Sequence, residues 1–285
     1  MLGIAKNIKS ENKKCELSYS EKVLLVVKGC AIGDSCGMEL EGVSPSKCDI
    51  DVQEMHSLSK GMVSDDTILT CATAKALANG SDFGKAYKEY GTLYPLGGYG
   101  SRFYAWVNGA KCEEGSCGNG AAMRVGPCGC LSSKEDVEKE ARLSAVPTHS
   151  HPEGIKGAVV TATCVWMAFN GYTKKEIGNY CNEMYPDSKY SPKNKYKRIS
   201  KYRQTYGNPA VCSYTVPLAV TCFVESKDYE DCILKAIRCG WDTDTQAAIA
   251  GALAMAYYRK CSAESESVWK KIRTGEYSEM FCFLK

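Results

Sequence analysis

The sequence predicts an all-α fold, and three observations carry that prediction. Apolar and small residues recur at the spacing of a helix face in the segments 64–79, 152–170 and 245–258. We find no run of alternating apolar and polar residues that ends in a hairpin turn, so strands are not expected. No linker divides the 285 residues and no internal repeat is present, so we expect a single domain over 1–285.

The three helical segments are supported by their ends as well as by their periods. Gly80 stops the first segment, and the third is rich in alanine, which suits a central helix packed closely on its neighbours. The second begins at Pro152 and ends before Gly171, with proline first and glycine last as is common at helix termini. In chain order, we expect helices at 20–36, 64–79, 134–145, 152–170, 173–184, 217–226, 229–239, 245–258 and 264–274.

Composition excludes several classes of protein. Hydrophobic residues make up 44% and charged residues 24% of the chain, which is the balance of a folded domain rather than a disordered segment. The net charge of +3 selects neither nucleic acid nor an anionic membrane as a partner. Apolar runs such as Val23–Val27 are far shorter than a membrane span, and residues 1–22 do not resemble a signal peptide. We therefore expect a cytoplasmic protein, a monomer, with no membrane partner.

Cysteine is unusually frequent, with 17 residues in the chain. Their number is odd, their spacings are scattered and no Cys-x-x-Cys pair occurs, which is unlike a disulfide framework or a zinc finger. We expect free thiols that pack as small buried hydrophobic side chains in a reducing compartment.

Residues 189–203 differ from the rest of the chain in charge. They contain seven Lys or Arg and no acid, interleaved with Tyr190, Tyr196 and Tyr202. A basic segment with exposed rings can bind RNA or DNA through phosphate contacts and base stacking. We favour a solvated loop, so nucleic acid is the less favoured partner.

Two predicted helices begin with paired acids. Ser64, Asp65 and Asp66 precede one helix, and Asp242 and Asp244, followed by Thr245, precede another. Hydroxyls and carboxylates at such positions are commonly caps for free N–H groups. If the two helix starts meet, the carboxylates repel one another, and a divalent cation relieves that repulsion. A set of oxygen ligands selects Mg²⁺, Mn²⁺ or Ca²⁺, although spacing in the sequence does not establish that the two starts meet.

Glycine-rich loops and a histidine pair supply further candidates. The loop 115–120 has three glycines that can turn backbone N–H groups toward an anion such as a pyrophosphate, and 97–100 is a similar example. Taken alone, each is more commonly a tight surface turn. His149 and His151 lack a nearby third metal ligand, so we interpret His149 as a hydrogen-bond donor to substrate or as a buried structural histidine.

Taken in order, these motifs resemble the ADP-ribosylglycohydrolase family over about residues 22–260. The motifs are GCAIGDSCGMELEG from 29, SDDT from 64, GGYG from 97, GSCGNGAAMRVGP from 115, SAVPTHSHPEGIKGA from 144 and CGWDTDTQAAIAGALA from 239. The resemblance implies a compact orthogonal helical bundle that holds two Mg²⁺ ions, or Mn²⁺ in some members. It also implies a substrate in which ADP-ribose is joined to an acceptor.

The resemblance assigns roles to the matching positions. The implied metal ligands are Ser64, Asp65, Asp66, Asp242, Asp244 and Thr245, with Asp244 bridging the two ions. Glu41, Asp65 and Asp66 are the implied catalytic residues, Glu41 being mobile and Glu39 its competitor. The implied substrate-binding residues are Gly98, Tyr99, Gly100, Gly115, Ser116, Cys117, Gly118, Asn119, Gly120 and His149. For Asp34, Asn119 and Arg124 we rank a supporting role above direct contact.

Two positions depart from the family pattern. Trp241 stands where the second glycine of Gly-Gly-Asp is usual, which changes the backbone next to Asp242. Cys117 stands where an aromatic residue is common, so a stacking role would move to Tyr99 or Tyr214.

The function that the resemblance implies is a metal-dependent hydrolase acting on an ADP-ribosylated protein or derivative. It would cleave the N- or O-glycosidic bond at the anomeric carbon of the distal ribose, most simply on an arginine or serine side chain. The alternatives are a non-catalytic ADP-ribose-binding or structural relative, and a hydrolase of ADP-ribosylated nucleic acid or of free ADP-ribose derivatives.

Overall fold

The computed structural model describes residues 17–111, 115–188 and 210–284, and within them it confirms the all-α prediction. Besides α-helices, the described residues contain short 3₁₀ helices and one isolated antiparallel bridge, which joins Gly118 to Val211. The helices are α1 Tyr19–Gly37, α2 Val52–Leu58, α3 Asp65–Asn79, α4 Phe83–Leu93, α5 Ser101–Val107, α6 Gly120–Arg124, α7 Lys134–His149, α8 Pro152–Phe169, α9 Lys174–Met184, α10 Cys212–Val224, α11 Tyr229–Ile237, α12 Thr243–Tyr258 and α13 Ala263–Thr274.

Helices α1 and α12 form the centre of the fold and pack backbone against backbone. A Cβ atom added to Gly33 would lie 2.2 Å from the carbonyl oxygen of Ala247, and one added to Gly29 would lie 2.4 Å from that of Gly251. Only glycine permits so close an approach. Gly29 faces Gly251 and Gly33 faces Ala247, so the two helices are antiparallel. The start of α12 therefore lies next to the end of α1.

The start of α3 is tied to the same end of α1. Asp34, which is fully buried, accepts hydrogen bonds through Oδ2 from the Ser64 amide at 2.9 Å and the Thr67 amide at 3.2 Å. Ser64 caps α3 by accepting a hydrogen bond from the amide of Asp66. The two helix starts with paired acids therefore meet beside α1, which the sequence left open.

Helix α10 begins five residues before the predicted helix at 217–226 and contains Pro217 in its interior. Proline has no N–H to bond the carbonyl four residues earlier, which belongs to Ser213. The Ser188 hydroxyl donates to that carbonyl at 3.1 Å, so the helix continues through the proline.

Other expectations have mixed outcomes. Cysteines in the described ranges are free thiols and most are buried, as expected. Among the described helices, none has the combination of length and apolar character needed to cross a membrane. The basic segment 189–203 lies outside the described residues, so its role stays a prediction, as does the single-domain organisation.

Candidate functional site

A cavity of about 470 Å³ opens where the starts of α3 and α12 meet. It brings together most of the residues that the sequence singled out. Tyr99, Gly115, Cys117 and Asp242 do not line it. Those that do are Glu41, Ser64, Asp65, Asp66, Gly98, Gly100, Ser116, Gly118, Asn119, Gly120, His149, Asp244 and Thr245.

The floor of the cavity is a carboxylate cluster. Carboxylate oxygens of Asp34, Asp66 and Asp244 lie within 4.8 Å of one another, and so do those of Glu41, Asp242 and Asp244. Asp244 belongs to both groups, which is the arrangement expected of a ligand shared by two ions. Asp65, next in the chain to Asp66, completes the acidic lining.

Burial and mutual repulsion raise the pKa values of these acids. Burial raises the pKa of Asp65 to about 8, and the charges of Asp34, Asp242 and Glu41 add to the effect. Burial also raises the pKa of Asp242 to about 6 and that of Asp34 to about 6. Without a cation, the protein therefore holds protons on this cluster near neutral pH.

The donor set fits a hard divalent cation. The Oδ1 atoms of Asp34 and Asp66 are buried without a hydrogen-bond partner, although buried carboxylate oxygens are normally bonded. A divalent cation would satisfy both atoms and remove the repulsion. The ligands are oxygens, and neither metal group includes a histidine of the described residues, which matches Mg²⁺ or Mn²⁺ better than zinc.

Hydroxyl and amide groups orient the carboxylates. The Ser64 hydroxyl donates to Asp66 Oδ2 at 3.0 Å, and the Thr245 hydroxyl donates to the same oxygen at 3.3 Å. The Asn119 side-chain amide donates to Asp242 Oδ2 at 2.5 Å. Asn119 therefore supports a carboxylate, in agreement with its expected supporting role, while also lining the cavity.

The structure shows different surroundings for the two glutamates that follow α1. Glu39 forms an ion pair with Lys60 at 2.9 Å, whereas the carboxylate of Glu41 lies in the cluster. Glu41 is thus the better candidate of the two for a metal ligand. Asp34 has two roles: its Oδ2 accepts hydrogen bonds from the start of α3, and its carboxylate also belongs to the cluster as a potential ligand, although the sequence ranked it as supporting.

The glycine loop 115–120 is held by backbone bonds to two other segments. The amide of Ser116 donates to the carbonyl of Thr148 at 3.2 Å, and that of Asn119 donates to the carbonyl of Ala210 at 3.3 Å. The amide of Gly118 donates to the Ser116 hydroxyl at 3.0 Å. These amides are already paired, so the loop offers fewer N–H groups to an anion than its glycine content predicted.

His149 faces this loop as a neutral imidazole. A Cβ atom on Gly120 would lie 3.0 Å from Nε2 of His149, so a side chain there would crowd the ring. Nδ1 of His149 lies 2.8 Å from the Thr148 hydroxyl, which accepts a hydrogen bond from the buried Arg124 at 2.9 Å. Burial, together with the smaller effect of the charges of Arg124 and Arg102, lowers the pKa of His149 to about 3. The ring can therefore exchange hydrogen bonds with a ligand but carries no charge at neutral pH.

The aromatic residues proposed for stacking do not line the cavity. Tyr214 is fully buried, and Tyr99 stacks on Phe103 with ring centroids 5.1 Å apart, its hydroxyl enclosed. The rings that do line the cavity are Phe103 and Tyr277. A sequence gives the residue type but not how deeply a side chain is buried, so Tyr99 and Tyr214 were assigned to the cavity although they do not line it.

Arg102 lines the cavity and was missed by the sequence analysis. It follows Gly100 and Ser101 at the start of α5, and its charge reaches His149. A cation two residues after the GGYG motif was the available signal. Met38, Met62 and Leu96 also line the cavity and were likewise missed.

These features define a class of protein. It is a helical protein in which a cluster of carboxylates forms the floor of a cleft and a glycine-rich loop lines one side of that cleft. The chain belongs to the ADP-ribosylglycohydrolase family, whose profile matches residues 16–261.

Named relatives include ADP-ribosylhydrolase ARH3 from Homo sapiens, 31% identical over 185 residues, which are 51% of this chain and 51% of that protein. The match thus spans about half the length of the mammalian relatives. ADP-ribosyl-[dinitrogen reductase] glycohydrolase from Rhodospirillum rubrum is 24% identical over 270 residues, 85% of this chain and 87% of that protein. Among solved structures, an ADP-ribosylglycohydrolase-related protein complex has the same fold, with a TM-score of 0.66, 22% identity, and coverage of 89% of this chain and 96% of that chain.

Proposed function

We propose that this protein is a metal-dependent hydrolase that removes ADP-ribose from a modified acceptor. The bond cleaved would join the anomeric carbon of the distal ribose to nitrogen or oxygen, most simply on an arginine or serine side chain. The observation that supports this best is the carboxylate cluster at the floor of the cavity, in which two groups of acids have Asp244 in common. The names of the relatives agree, since they are hydrolases of ADP-ribosyl groups.

The cluster would hold two Mg²⁺ or Mn²⁺ ions. We assign Asp244 to both ions, and we add Asp34 and Glu41 to the implied ligands because their carboxylates lie in the two groups. When bound, such ions polarise oxygen ligands and lower the pKa of bound water. The remaining implied ligands are Ser64, Asp65, Asp66, Asp242 and Thr245.

Glu41 and Asp65 are the acids we assign to proton transfer. Glu41 is exposed and lines the cavity, so its carboxylate reaches both water and substrate. Asp65 also lines the cavity, where its carboxylate can exchange a proton with a bound molecule. Asp66 is less suited because it is buried and its Oδ2 accepts bonds from Ser64 and Thr245. One carboxylate would accept the proton of the attacking water, and the other, as a carboxylic acid, would donate a proton to the leaving group.

The other wall of the cavity would bind the diphosphate of ADP-ribose. Ser116, Gly118 and Gly120 supply a surface without bulky side chains, and His149 supplies an uncharged hydrogen-bonding group. Arg102 adds positive charge on the same cavity wall. Because several loop amides are already paired, we expect Arg102 and His149 to carry much of the binding.

The test is release of free ADP-ribose from arginine-linked and serine-linked substrates, in Mg²⁺, in Mn²⁺ and in EDTA. We expect release that needs metal, and we expect Asp65→Asn and Asp244→Asn each to lower turnover by about 100-fold or more, because each removes a charged group from the reacting centre. Asp187→Asn, at an exposed site outside the cavity, is the matched control.

Near-normal turnover of Asp244→Asn would overturn the metal assignment. No release from either substrate by a protein that still binds ADP-ribose would favour the non-catalytic alternative. Release from an ADP-ribosylated nucleic acid alone would move the proposal to that substrate class.

A further inference from the structure

The turn before Asp242 contains a backbone conformation that side chains rarely adopt. Trp241 has φ of 68°, in the left-handed region, directly after Gly240 with φ of 71°. For a residue with a bulky side chain this conformation is unfavourable, because Cβ lies too close to the following carbonyl oxygen. Such strain persists only where surrounding contacts hold the residue in place.

Those contacts join Trp241 to the segment that follows Glu41. The Trp241 amide donates to the carbonyl of Val43 at 2.7 Å, and the Gly42 amide donates to the carbonyl of Trp241 at 2.5 Å. The ring of Trp241 is partly buried against the hydrophobic core. A Cβ atom on Gly240 would lie 2.6 Å from the backbone nitrogen of Pro45, so the two segments touch along their length.

The other end of the Glu41 loop is fixed to the same turn. The Thr243 hydroxyl donates to the carbonyl of Gly37 at 2.8 Å. A Cβ atom on Gly37 would lie 2.6 Å from the carbonyl oxygen of Thr243. The Glu41 loop therefore consists of residues 38–41, a turn of 3₁₀ helix at Met38–Leu40 followed by Glu41, and both of its ends are bound to the residues on either side of Asp242.

We propose that Trp241 is a positioning residue that locks the Glu41 loop against the carboxylate cluster. Glu41 is exposed, and Gly42 beside it has φ of 76° with open space around it, so the loop needs an external restraint. The backbone bonds of Trp241 supply the restraint, and the packing of its partly buried ring against the core keeps the turn from opening. A glycine at 241 would create a Gly-Gly pair, whose backbone has far more conformations available.

The proposal rests on the proposed role of Glu41 toward a divalent cation, and its test does not use catalysis. Mn²⁺ is titrated calorimetrically into the full chain after treatment with EDTA. We expect Trp241→Gly to weaken Mn²⁺ binding by about two- to fivefold, because the loss of the ring's packing against the core outweighs the relief of strain that glycine gives at a φ of 68°. Trp241→Phe is the matched control, because it keeps a ring against the core and the restricted backbone, and its affinity should be close to that of the native chain.

A double-mutant cycle separates positioning from a general effect on the fold. In a Glu41→Gln background, Trp241→Gly should cause no further loss of Mn²⁺ affinity, because the group being positioned is already gone. Equal losses in both backgrounds, or no loss in the single variant, would overturn the proposal.

A measurement on the native chain covers the case in which Trp241→Gly does not fold. The amides of Gly42 and Trp241 should be protected from hydrogen exchange, since each donates one of the two bonds. Rapid exchange at both amides would also overturn the proposal. If Mn²⁺ binding behaves as expected but no ADP-ribose is released, the proposed function fails and this inference stands.

Discussion

At the scale of single residues, Arg102 brings positive charge to a cavity whose floor is acidic. Hydrogen bonds from a charged donor to a phosphate are about twice as strong as neutral ones. We expect Arg102→Gln to weaken ADP-ribose binding by about tenfold, and Arg102→Lys to lose less because it keeps the charge. Calorimetric titration with ADP-ribose measures both.

Arg142→Gln is the control for that prediction, because Arg142 is exposed on α7 and does not line the cavity. In kinetic assays, the change at Arg102 should appear in KM more than in kcat, since a diphosphate contact acts on bound substrate and transition state alike. Unchanged affinity in Arg102→Gln would show that the glycine loop and His149 suffice for the diphosphate.

The candidate site could be predicted from the sequence only where residue type and local position decide the role. Asp65, Asp66, Asp242 and Asp244 are recognisable because acids at two helix starts are local features. The place of the Asp34 carboxylate in the cluster depends on how α1 packs, which no local pattern contains. The same reason explains why Tyr277, far along the chain, was not anticipated in the cavity.

At the scale of helices, the contact between α1 and α12 sets the distance between the two halves of the site. A methyl group on Gly33 would overlap the backbone of Ala247, and backbone cannot move aside as a flexible side chain can. We expect Gly33→Ala to lower the free energy of unfolding by about 2–3 kcal/mol, measured by urea denaturation. Gly100→Ala is the control, since a Cβ atom there meets nothing within 4 Å and its φ is −57°.

The helices themselves were predictable in proportion to their length and amphipathic pattern. The segments 64–79, 152–170 and 245–258 correspond closely to α3, α8 and α12. Helix α4 was missed although Asp82 caps it and Phe83, Ala86 and Tyr90 share a buried face, so a closer search for caps would have found it. Helix α6 has five residues, too few for any period to be seen, and is fixed by tertiary packing instead.

At the scale of the whole molecule, the acidic cluster links metal binding to the pH dependence of folding. In unfolded chains, carboxyl groups of aspartate titrate near pH 3.8, whereas the folded, metal-free protein raises the pKa of Asp65 to about 8 and those of Asp66 and Asp244 well above the ordinary value. The folded state therefore holds more protons than the unfolded state up to at least pH 8. By linkage, its free energy of unfolding falls as pH rises toward that value.

The clearest window for this effect is pH 6.5 to 8. Below it, His149 acts in the opposite direction, because burial lowers the pKa of His149 from 6.5 to about 3 and the unfolded chain takes up the proton. Above it, the many buried cysteines contribute, since burial raises the pKa of thiols such as Cys36 above the ordinary 9.0. Inside the window, we expect each carboxyl group that stays protonated in the folded, metal-free protein to lower its free energy of unfolding by about 2 kcal/mol, because an excess proton contributes about 1.4 kcal/mol per pH unit. Urea denaturation in EDTA at several pH values measures the loss, and Asp65→Asn should reduce the slope of unfolding free energy against pH by removing one of these protons.

Saturating Mn²⁺ should abolish this slope, because bound cations displace the protons and stabilise the folded state most where the carboxylates are charged. A stability in EDTA that is constant or rises from pH 6.5 to 8 would mean that the carboxylates are ionised without a cation, and the cluster would then need another source of positive charge.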